Sequence, residues 1–275
     1  MQVKTEEERK ALLLALLAIA RQNERAIWER YYNPLRLIHN EIKNLLMGLE
    51  DSPAFRVYQF AEIEKLLIPM LQPIMDETAD AMLPRLSAMS NDVAAEAAEF
   101  VGRQAPPTAF KSPTVVAEFT EVNGRPIREV LGTFDEPFGT LTSRMAENIS
   151  KVVKVGLLTD RTTEEIAADV MGETRRRQDG RMVPVVKRGT AANQNLNILN
   201  NMTRTAVWDE LSKSTMNVFA DADVSQWIWE AKLDPNTCPI CIPKDGTIER
   251  NIEDFGEIPP IHPNCRCLVL PFRLA

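Results

Sequence analysis

The sequence predicts a mainly α-helical protein that ends in a small α+β domain, in which helices and short antiparallel strands are closed by a zinc knuckle. Three observations predict this fold class. Helical apolar spacing fills residues 1–102, alternating apolar residues with two tryptophans occur at 224–233, and all four cysteines lie after residue 237. At roughly 100–200 residues per domain, a chain of 275 residues accommodates about two domains.

Residues 1–102 are predicted to be a helical region. The apolar run at 11–20 would span about 15 Å as a helix, half of a bilayer core. Because this length is too short to cross a bilayer, we expect no membrane span. Acidic residues precede the run, so we expect no secretory signal either. The expected structure is a helix that is buried or packed against another subunit. Apolar residues recur at helical spacing over 35–49, and His39 on that helix is expected to be a surface or interface residue.

The second half of this region contains several helix boundaries. Asp51-Ser52-Pro53 predicts a stop and a restart, with Ser52 as the N-cap and Pro53 at the first helical position. The later prolines are expected to divide the following segment into short or kinked helices: Pro69, Pro73 and Pro84. Ser90-Asn91-Asp92 predicts the cap of another helix, which ends near Gly102.

Residues 103–140 are predicted to be a linker, because they are rich in proline and glycine. Two apolar stretches, 115–122 and 127–131, flank Asn123-Gly124. An Asn-Gly pair between such stretches favours a β-hairpin.

Residues 141–275 are predicted to form the second unit. A helix is expected over 141–157, and Thr162 to Glu165 has the spacing of a capping box that opens a short helix ended by Gly172. A helix without Gly or Pro follows over 191–220. Strands are predicted at 224–233 and 266–272.

A basic stretch lies between the helices of this second unit. This basic stretch, residues 173–189, contains two acidic residues and six basic ones. The basic residues are Arg175, Arg176, Arg177, Arg181, Lys187 and Arg188. They are candidate contacts to DNA phosphates, which require charge but no base recognition. The alternative is a solvated loop, and the net charge of −7 makes general non-specific nucleic-acid binding a poor expectation for the whole chain.

The cysteines indicate one local metal site. Cys238 and Cys241 form a Cys-x-x-Cys pair, whose spacing lets two thiolates reach one ion, and His262, Cys265 and Cys267 follow 20 to 30 residues later. This pattern is typical of structural zinc. Five candidates compete for four positions, and the spacing favours Cys238, Cys241, His262 and one of Cys265 or Cys267.

Two alternatives to structural zinc remain open: the cysteines form disulfides or stay as thiols without a metal, or the zinc is catalytic. Without a secretory signal we expect a reducing cytoplasm, which disfavours disulfides, and no βαβ pattern surrounds the pair as in a redox enzyme. A catalytic zinc needs an open position and a nearby general base. Neither the His-x-Glu arrangement of nucleobase deaminases nor a His-Glu-x-x-His motif occurs in the sequence.

A family resemblance is carried by motifs along residues 141–275. The C-terminal motifs are, in chain order, Trp229-Glu230-Ala231, Asp234, Thr237-Cys238-Pro239-Ile240-Cys241, Asp245-Gly246 and Pro259-Pro260-Ile261-His262-Pro263-Asn264-Cys265-Arg266-Cys267. Upstream lie Thr163-Glu164-Glu165-Ile166-Ala167 and Met202-Thr203-Arg204-Thr205-Ala206. Together they resemble the phage head morphogenesis, or minor capsid, proteins similar to the Mu F protein. Ala206 is one departure, since family members often have an acidic residue there.

This resemblance implies a structural virion protein of a tailed bacteriophage, present in few copies in the head near the portal vertex. Such a protein is assembled in the bacterial host cytoplasm and acts in head morphogenesis or in genome packaging and ejection. The implied partners are the portal protein, the major capsid or scaffolding protein and packaged DNA, with no membrane. The helical region offers residues 12–19 and 35–49 as docking surfaces, and burial in its own core is the alternative for both.

The resemblance implies no settled enzymatic activity, so we expect a protein that is not an enzyme. The alternative function is a zinc- or thiol-dependent hydrolase or transferase carried in the virion.

Overall fold

The fold is described from a computed structural model, which covers residues 2–48, 53–103, 116–122, 125–130, 135–172, 174–176, 182–184, 186–220, 222–235, 237–261 and 265–275. Five helices dominate this part of the chain. They are α1 (Glu6–Met47), α2 (Pro53–Val101), α3 (Asp135–Leu158), α4 (Thr163–Met171) and α5 (Ala191–Ala220). The mainly α-helical class predicted from apolar spacing is therefore confirmed.

The strands are short, and all of their pairings are antiparallel. They are β1 (Gln2–Val3), β2 (Val116–Val122), β3 (Arg125–Val130), β4 (Thr174–Arg176), β5 (Met182–Pro184), β6 (Val224–Ala231), β7 (Ile248–Glu249) and β8 (Cys267–Leu274). Strands β2 and β3 form the hairpin predicted around residues 123 and 124, which themselves lie outside the described residues. Strands β4 and β5 form a second hairpin within the basic stretch.

Several predicted helix boundaries are confirmed. Pro53 is the first residue of α2, and α2 ends at Val101, next to Gly102 with its left-handed φ of 69°. Thr162 caps α4 through a capping box with Glu165, in which each residue's side chain bonds the other's backbone N–H. Local side-chain hydrogen bonds therefore define the start of α4.

The prediction that prolines divide this segment into short helices is wrong, because helix α2 is continuous through Pro69, Pro73 and Pro84, while the kinked alternative stays a prediction. All three prolines lie at exposed positions, so water can solvate the carbonyl groups that lose their helical partners. The opposite face buries Leu67, Leu71 and other apolar residues completely. This burial offsets the cost of about 3 kcal/mol that an interior proline imposes on a helix.

Ser90 is not a helix cap either. It lies inside α2, buried, and its hydroxyl group is 2.7 Å from the hydroxyl group of Ser214 on α5. The Ser90 side chain therefore bonds to Ser214 on another helix and does not form the helix cap that its sequence context predicts.

Contacts divide the chain into two compact units, each built from separate stretches. The first unit comprises Met1–Ile27, Met82–Phe134 and Asn201–Ala275, and the second comprises Trp28–Ala81 and Asp135–Asn200. Helices α1, α2 and α5 each contribute to both units. The division into 1–102, 103–140 and 141–275 stays a prediction about chain organisation.

The first unit contains the only four-stranded sheet of the described residues, with strand order β1-β8-β6-β7. Strand β1 pairs Gln2 with Leu274 and Val3 with Arg273, so the first residues of the chain extend the C-terminal sheet. Arg9 on α1 donates to Glu230 on β6 at 2.6 Å, and this ion pair is buried. The start of the chain is thereby anchored to the strands that carry the cysteine motifs.

The second unit encloses His39, which corrects the prediction of a surface or interface residue. Its side chain is fully buried; Nδ1 lies 2.8 Å from the carbonyl oxygen of Leu35 and Nε2 lies 2.8 Å from the amide nitrogen of Asn195. Because a carbonyl oxygen only accepts, Nδ1 donates and Nε2 accepts, which is the neutral imidazole. Burial lowers the pKa of His39 to about 4, although the bond to Leu35 acts in the opposite direction.

The two apolar faces named as docking surfaces are largely inside the protein. Leu12, Leu16 and Leu17 are buried, as are Leu35, Ile42 and Leu46, while Leu14 and Leu37 remain exposed. Burial in the protein's own core is therefore the better interpretation of both faces. Among the described helices, none combines the length and the apolar character needed to cross a bilayer.

Candidate metal centre

The first cysteine pair lies in a tight turn after β6. The backbone N–H of Cys241 donates to the carbonyl oxygen of Cys238 at 3.1 Å and approaches its sulfur at 3.3 Å, and the N–H of Ile242 reaches the same carbonyl at 3.2 Å. These bonds curl the chain so that Cys241 points inward, where its side chain is buried. Cys238 is half-buried at the beginning of the turn.

The second pair enters the sheet at β8. Cys267 is the first residue of β8, and Cys265 precedes it by two positions. Residues two apart in an extended segment project to the same side, and both thiols are indeed buried together. The fold brings both of these candidate ligands to one place, and the choice between them stays a prediction.

Three thiols meet at this point. The sulfur atoms of Cys241, Cys265 and Cys267 all lie within 4.8 Å of one another, and the sulfur atoms of Cys241 and Cys265 are 3.8 Å apart. None of the four cysteines, all within the described part of the chain, forms a disulfide. Three buried, converging sulfur atoms can hold a metal ion.

The protonation of these thiols depends strongly on their closeness. Contact with Cys265 and Cys267, followed by burial, raises the pKa of the Cys241 thiol far above its usual range. For Cys267 the contact with Cys241 lowers the pKa, but contact with Cys265 together with burial raises it to about 12. Adjacent thiolates repel one another in a dry site, so a cation is the natural means of stabilising the charged forms.

An ion pair connects the two cysteine-bearing segments. The guanidinium group of Arg266 donates to both carboxylate oxygens of Asp234 at 2.7 and 2.8 Å, and Lys232 lies 3.1 Å from the same carboxylate. Asp234 precedes the first pair, and Arg266 lies between the cysteines of the second. This two-point bond fixes the distance between the segments without contributing a ligand.

Asp234 also organises the approach to the first pair. Its backbone N–H donates to the hydroxyl group of Thr237 at 2.8 Å, and that hydroxyl donates to the carbonyl oxygen of Lys232 at 2.6 Å. In the sequence, Asp234 and Arg266 stand out only as members of the motifs that carry the family resemblance. The position of Arg266 between two cysteines was the signal for a supporting role, since alternate residues of a strand face opposite sides.

The remaining predicted site residues are placed as follows. His262 lies outside the described residues, as do Arg177 and Arg181. The backbones of Arg175 and Arg176 belong to β4, opposite Val183 and Met182 of β5. Lys187 is half-buried and Arg188 is exposed. The structure thus gathers three of the five predicted metal ligands, while the basic stretch is built partly as a hairpin.

Comparison with known proteins finds one family match, in the C-terminal region. Residues 139–270 match the family described as Phage Mu protein F like protein. The match includes helices α4 and α5, strand β6 and all four cysteines. No curated protein and no solved structure matches the chain.

Proposed function

We propose that the protein is a structural minor head protein of a tailed bacteriophage, associated with the portal and acting in head morphogenesis or in genome packaging and ejection. The observation that carries this proposal is the family match over residues 139–270. The proposed location is the virion head near the portal vertex, reached by assembly in the host cytoplasm. The proposed partners are the portal protein and the major capsid or scaffolding protein.

Co-expression with the portal protein encoded in the same genome tests this role. We expect the full chain to co-purify with the portal ring and to be found in purified particles. Recovery of portal rings and particles that lack the chain, when it is expressed and folded, would contradict the proposal. Major capsid protein expressed without the portal serves as a control for general adhesion to head proteins.

The proposed cofactor is structural zinc. Three of its ligands would be Cys241, Cys265 and Cys267, and the fourth would be Cys238 or His262. Zinc prefers sulfur and imidazole at four tetrahedral positions, and a Zn–S distance of about 2.3 Å places neighbouring sulfur atoms about 3.8 Å apart. The separation of 3.8 Å between the sulfur atoms of Cys241 and Cys265 fits this geometry. When bound, zinc would cross-link two segments that bury few large apolar side chains.

Single cysteine substitutions test the zinc proposal and identify the fourth ligand. We expect the full chain purified under reducing conditions to contain one equivalent of zinc by elemental analysis. Cys241→Ser should lose the metal, because a buried ligand disappears. Cys238→Ser and His262→Ala then discriminate, since only the variant that removes a ligand should bind zinc more weakly. Absence of metal in the wild-type chain refutes the zinc proposal.

We propose a further contact between the basic stretch and packaged DNA. Six basic residues occur within residues 175–188, and two of them lie on the β4–β5 hairpin. Backbone phosphates are the partner expected, and such contacts weaken linearly with the logarithm of salt concentration.

Neutralising Arg175, Arg176 and Arg177 to Gln should weaken DNA binding and reduce its salt dependence by roughly three ion equivalents at most. A matched control neutralises the exposed arginines Arg21, Arg25 and Arg30 on α1, which changes the net charge equally. Binding that is unchanged by the hairpin substitutions across a salt series would refute the DNA contact.

The alternative candidate is a zinc- or thiol-dependent enzyme. The burial of the three converging thiols favours a structural role, because a catalytic zinc keeps a coordination position that substrate and water can reach. The two proposals differ in a measurable way. Structural zinc predicts that Cys241→Ser destabilises the first unit, whereas an enzyme predicts a folded and inactive variant.

A further inference from the structure

The indole N–H group of Trp229 is a buried hydrogen-bond donor that lies beside the cysteine cluster. Trp229 is on β6, and its side chain is fully buried. Its Nε1 atom has no conventional hydrogen-bond partner among the described residues. An indole N–H group can only donate, and leaving it unpaired in a dry site costs about 1–3 kcal/mol.

The strand register places this donor on the same face as Cys267. Strands β6 and β8 pair Trp229 with Val269 and Ala231 with Cys267. Directly opposed residues share a face, and residues two apart on one strand also share a face. Trp229 and Cys267 are therefore diagonal neighbours on one side of the sheet, a distance that an aromatic side chain can bridge.

The indole ring is also held by the segment that follows the first cysteine pair. The ammonium group of Lys244, which ends the short 3₁₀ turn Ile242–Lys244, lies 5.1 Å from the ring centroid. Phe255 packs against the ring in a tilted arrangement with centroids 6.0 Å apart. Two segments outside strand β6 thus contact the ring and restrict its position.

The buried sulfur of Cys267, on the same face of the sheet, is the acceptor that this register offers to the indole N–H group. A thiolate sulfur accepts hydrogen bonds more strongly than a neutral thiol does. The same donor is therefore poorly satisfied beside a thiol and well satisfied beside a metal-bound thiolate.

We propose that Trp229 is a positioning residue of the metal centre, whose indole N–H group donates to the sulfur of Cys267 when that sulfur is a metal-bound thiolate. This inference rests on the metal centre proposed above. Outer hydrogen bonds of this kind orient a ligand and stabilise its charged form, and their removal typically lowers metal affinity about 10- to 100-fold.

Trp229→Phe tests the inference, because phenylalanine keeps an aromatic ring and removes only the donor and part of the ring system. Zinc affinity is measured on the reduced full chain by competition with a chromophoric chelator. We expect affinity to fall about 10-fold or more. Trp227→Phe is the matched control, since Trp227 lies on the same strand and packs near Phe219, with centroids 6.3 Å apart. Equal effects of the two substitutions, or no effect of Trp229→Phe, would overturn the inference.

A measurement on the wild-type chain keeps the inference testable even if Trp229→Phe fails to fold. In the protein loaded with ¹¹³Cd, a hydrogen bond to a ligating sulfur transmits scalar coupling from the metal to the indole proton. We expect this coupling at the Nε1 proton of Trp229 and at no other indole proton. Metal binding without that coupling overturns the role of Trp229 and leaves the metal centre intact, whereas a wild-type chain that binds neither zinc nor cadmium overturns both.

Discussion

The ion pair between Asp234 and Arg266 gives the sharpest stability prediction, because it links the two cysteine segments without binding the metal. Asp234→Asn keeps the shape of the side chain and one acceptor oxygen, but removes the charge and the second acceptor. The two side chains are only 20% and 23% exposed. Solvent screening is therefore partial, and the bond is a two-point one with distances of 2.7 and 2.8 Å.

The magnitude follows from that intermediate burial. Exposed ion pairs contribute about 0–1 kcal/mol, and breaking a buried pair costs about 3–5 kcal/mol. We therefore expect Asp234→Asn to lower the free energy of unfolding by about 2 kcal/mol. If the same free energy is lost from the preorganised metal centre, zinc affinity should fall by about 30-fold, at about 1.4 kcal/mol for each factor of ten.

Denaturant unfolding of the zinc-loaded full chain and a zinc competition titration measure these two quantities. Asp223→Asn is the matched control, because it removes the same charge from an ion pair with Arg103 in which the side chains are 80% and 43% exposed. Asparagine also tolerates the left-handed φ of 47° at position 223. If Asp234→Asn behaves like Asp223→Asn in both assays, the ion pair between Asp234 and Arg266 does not preorganise the metal centre, and the prediction is refuted.

Three further predictions concern packing, acidity and metal. A methyl group at Gly156 would lie 2.4 Å from Cγ1 of Ile166, so Gly156→Ala should lower the free energy of unfolding by about 1–3 kcal/mol. In an Ile166→Ala background the same substitution should be neutral or stabilising, because alanine has the higher helix propensity, and a double-mutant cycle by denaturant unfolding tests this. The pKa of His39 is lower in the folded protein than in the unfolded chain, so the fold favours the neutral ring. The contribution of His39 to the free energy of unfolding is therefore complete above about pH 6.5 and is lost as the pH falls towards 4. We expect the wild-type chain to lose about 2 kcal/mol more than His39→Gln between pH 7 and 5, and parallel pH profiles of unfolding would contradict this. Chelation of zinc should lower the melting temperature of the wild-type chain but not that of Cys241→Ser, as calorimetry with and without chelator would test.

The helices illustrate how far local sequence information reaches. The start of α2 at Pro53 and the capping box of Thr162 are each predicted from a few neighbouring residues, and both predictions are confirmed. The continuity of α2 through its prolines could not be predicted in this way. It depends on which face is buried, and that is decided by distant helices.

The metal centre shows the same division. Cysteine spacing predicted a local site and the first pair, because two intervening residues are enough to form the turn at Cys238. The convergence of both Cys265 and Cys267 on Cys241 depends on how β8 enters the sheet. The donor group of Trp229 depends on the register of β6 against β8, which no local pattern specifies.

The sequence by itself determined the helical class, the position of all four cysteines after residue 237 and the resemblance of the C-terminal region to a known family, since each is carried by the residue types and their spacing. Only the tertiary structure decided that β1 from the start of the chain extends the C-terminal sheet, and that His39 is buried in its neutral form. Both outcomes depend on contacts between residues more than a hundred positions apart. Such contacts depend on which apolar surfaces of the whole chain are buried against one another. The periodicity of a single segment shows which of its faces is apolar, but does not specify its partner.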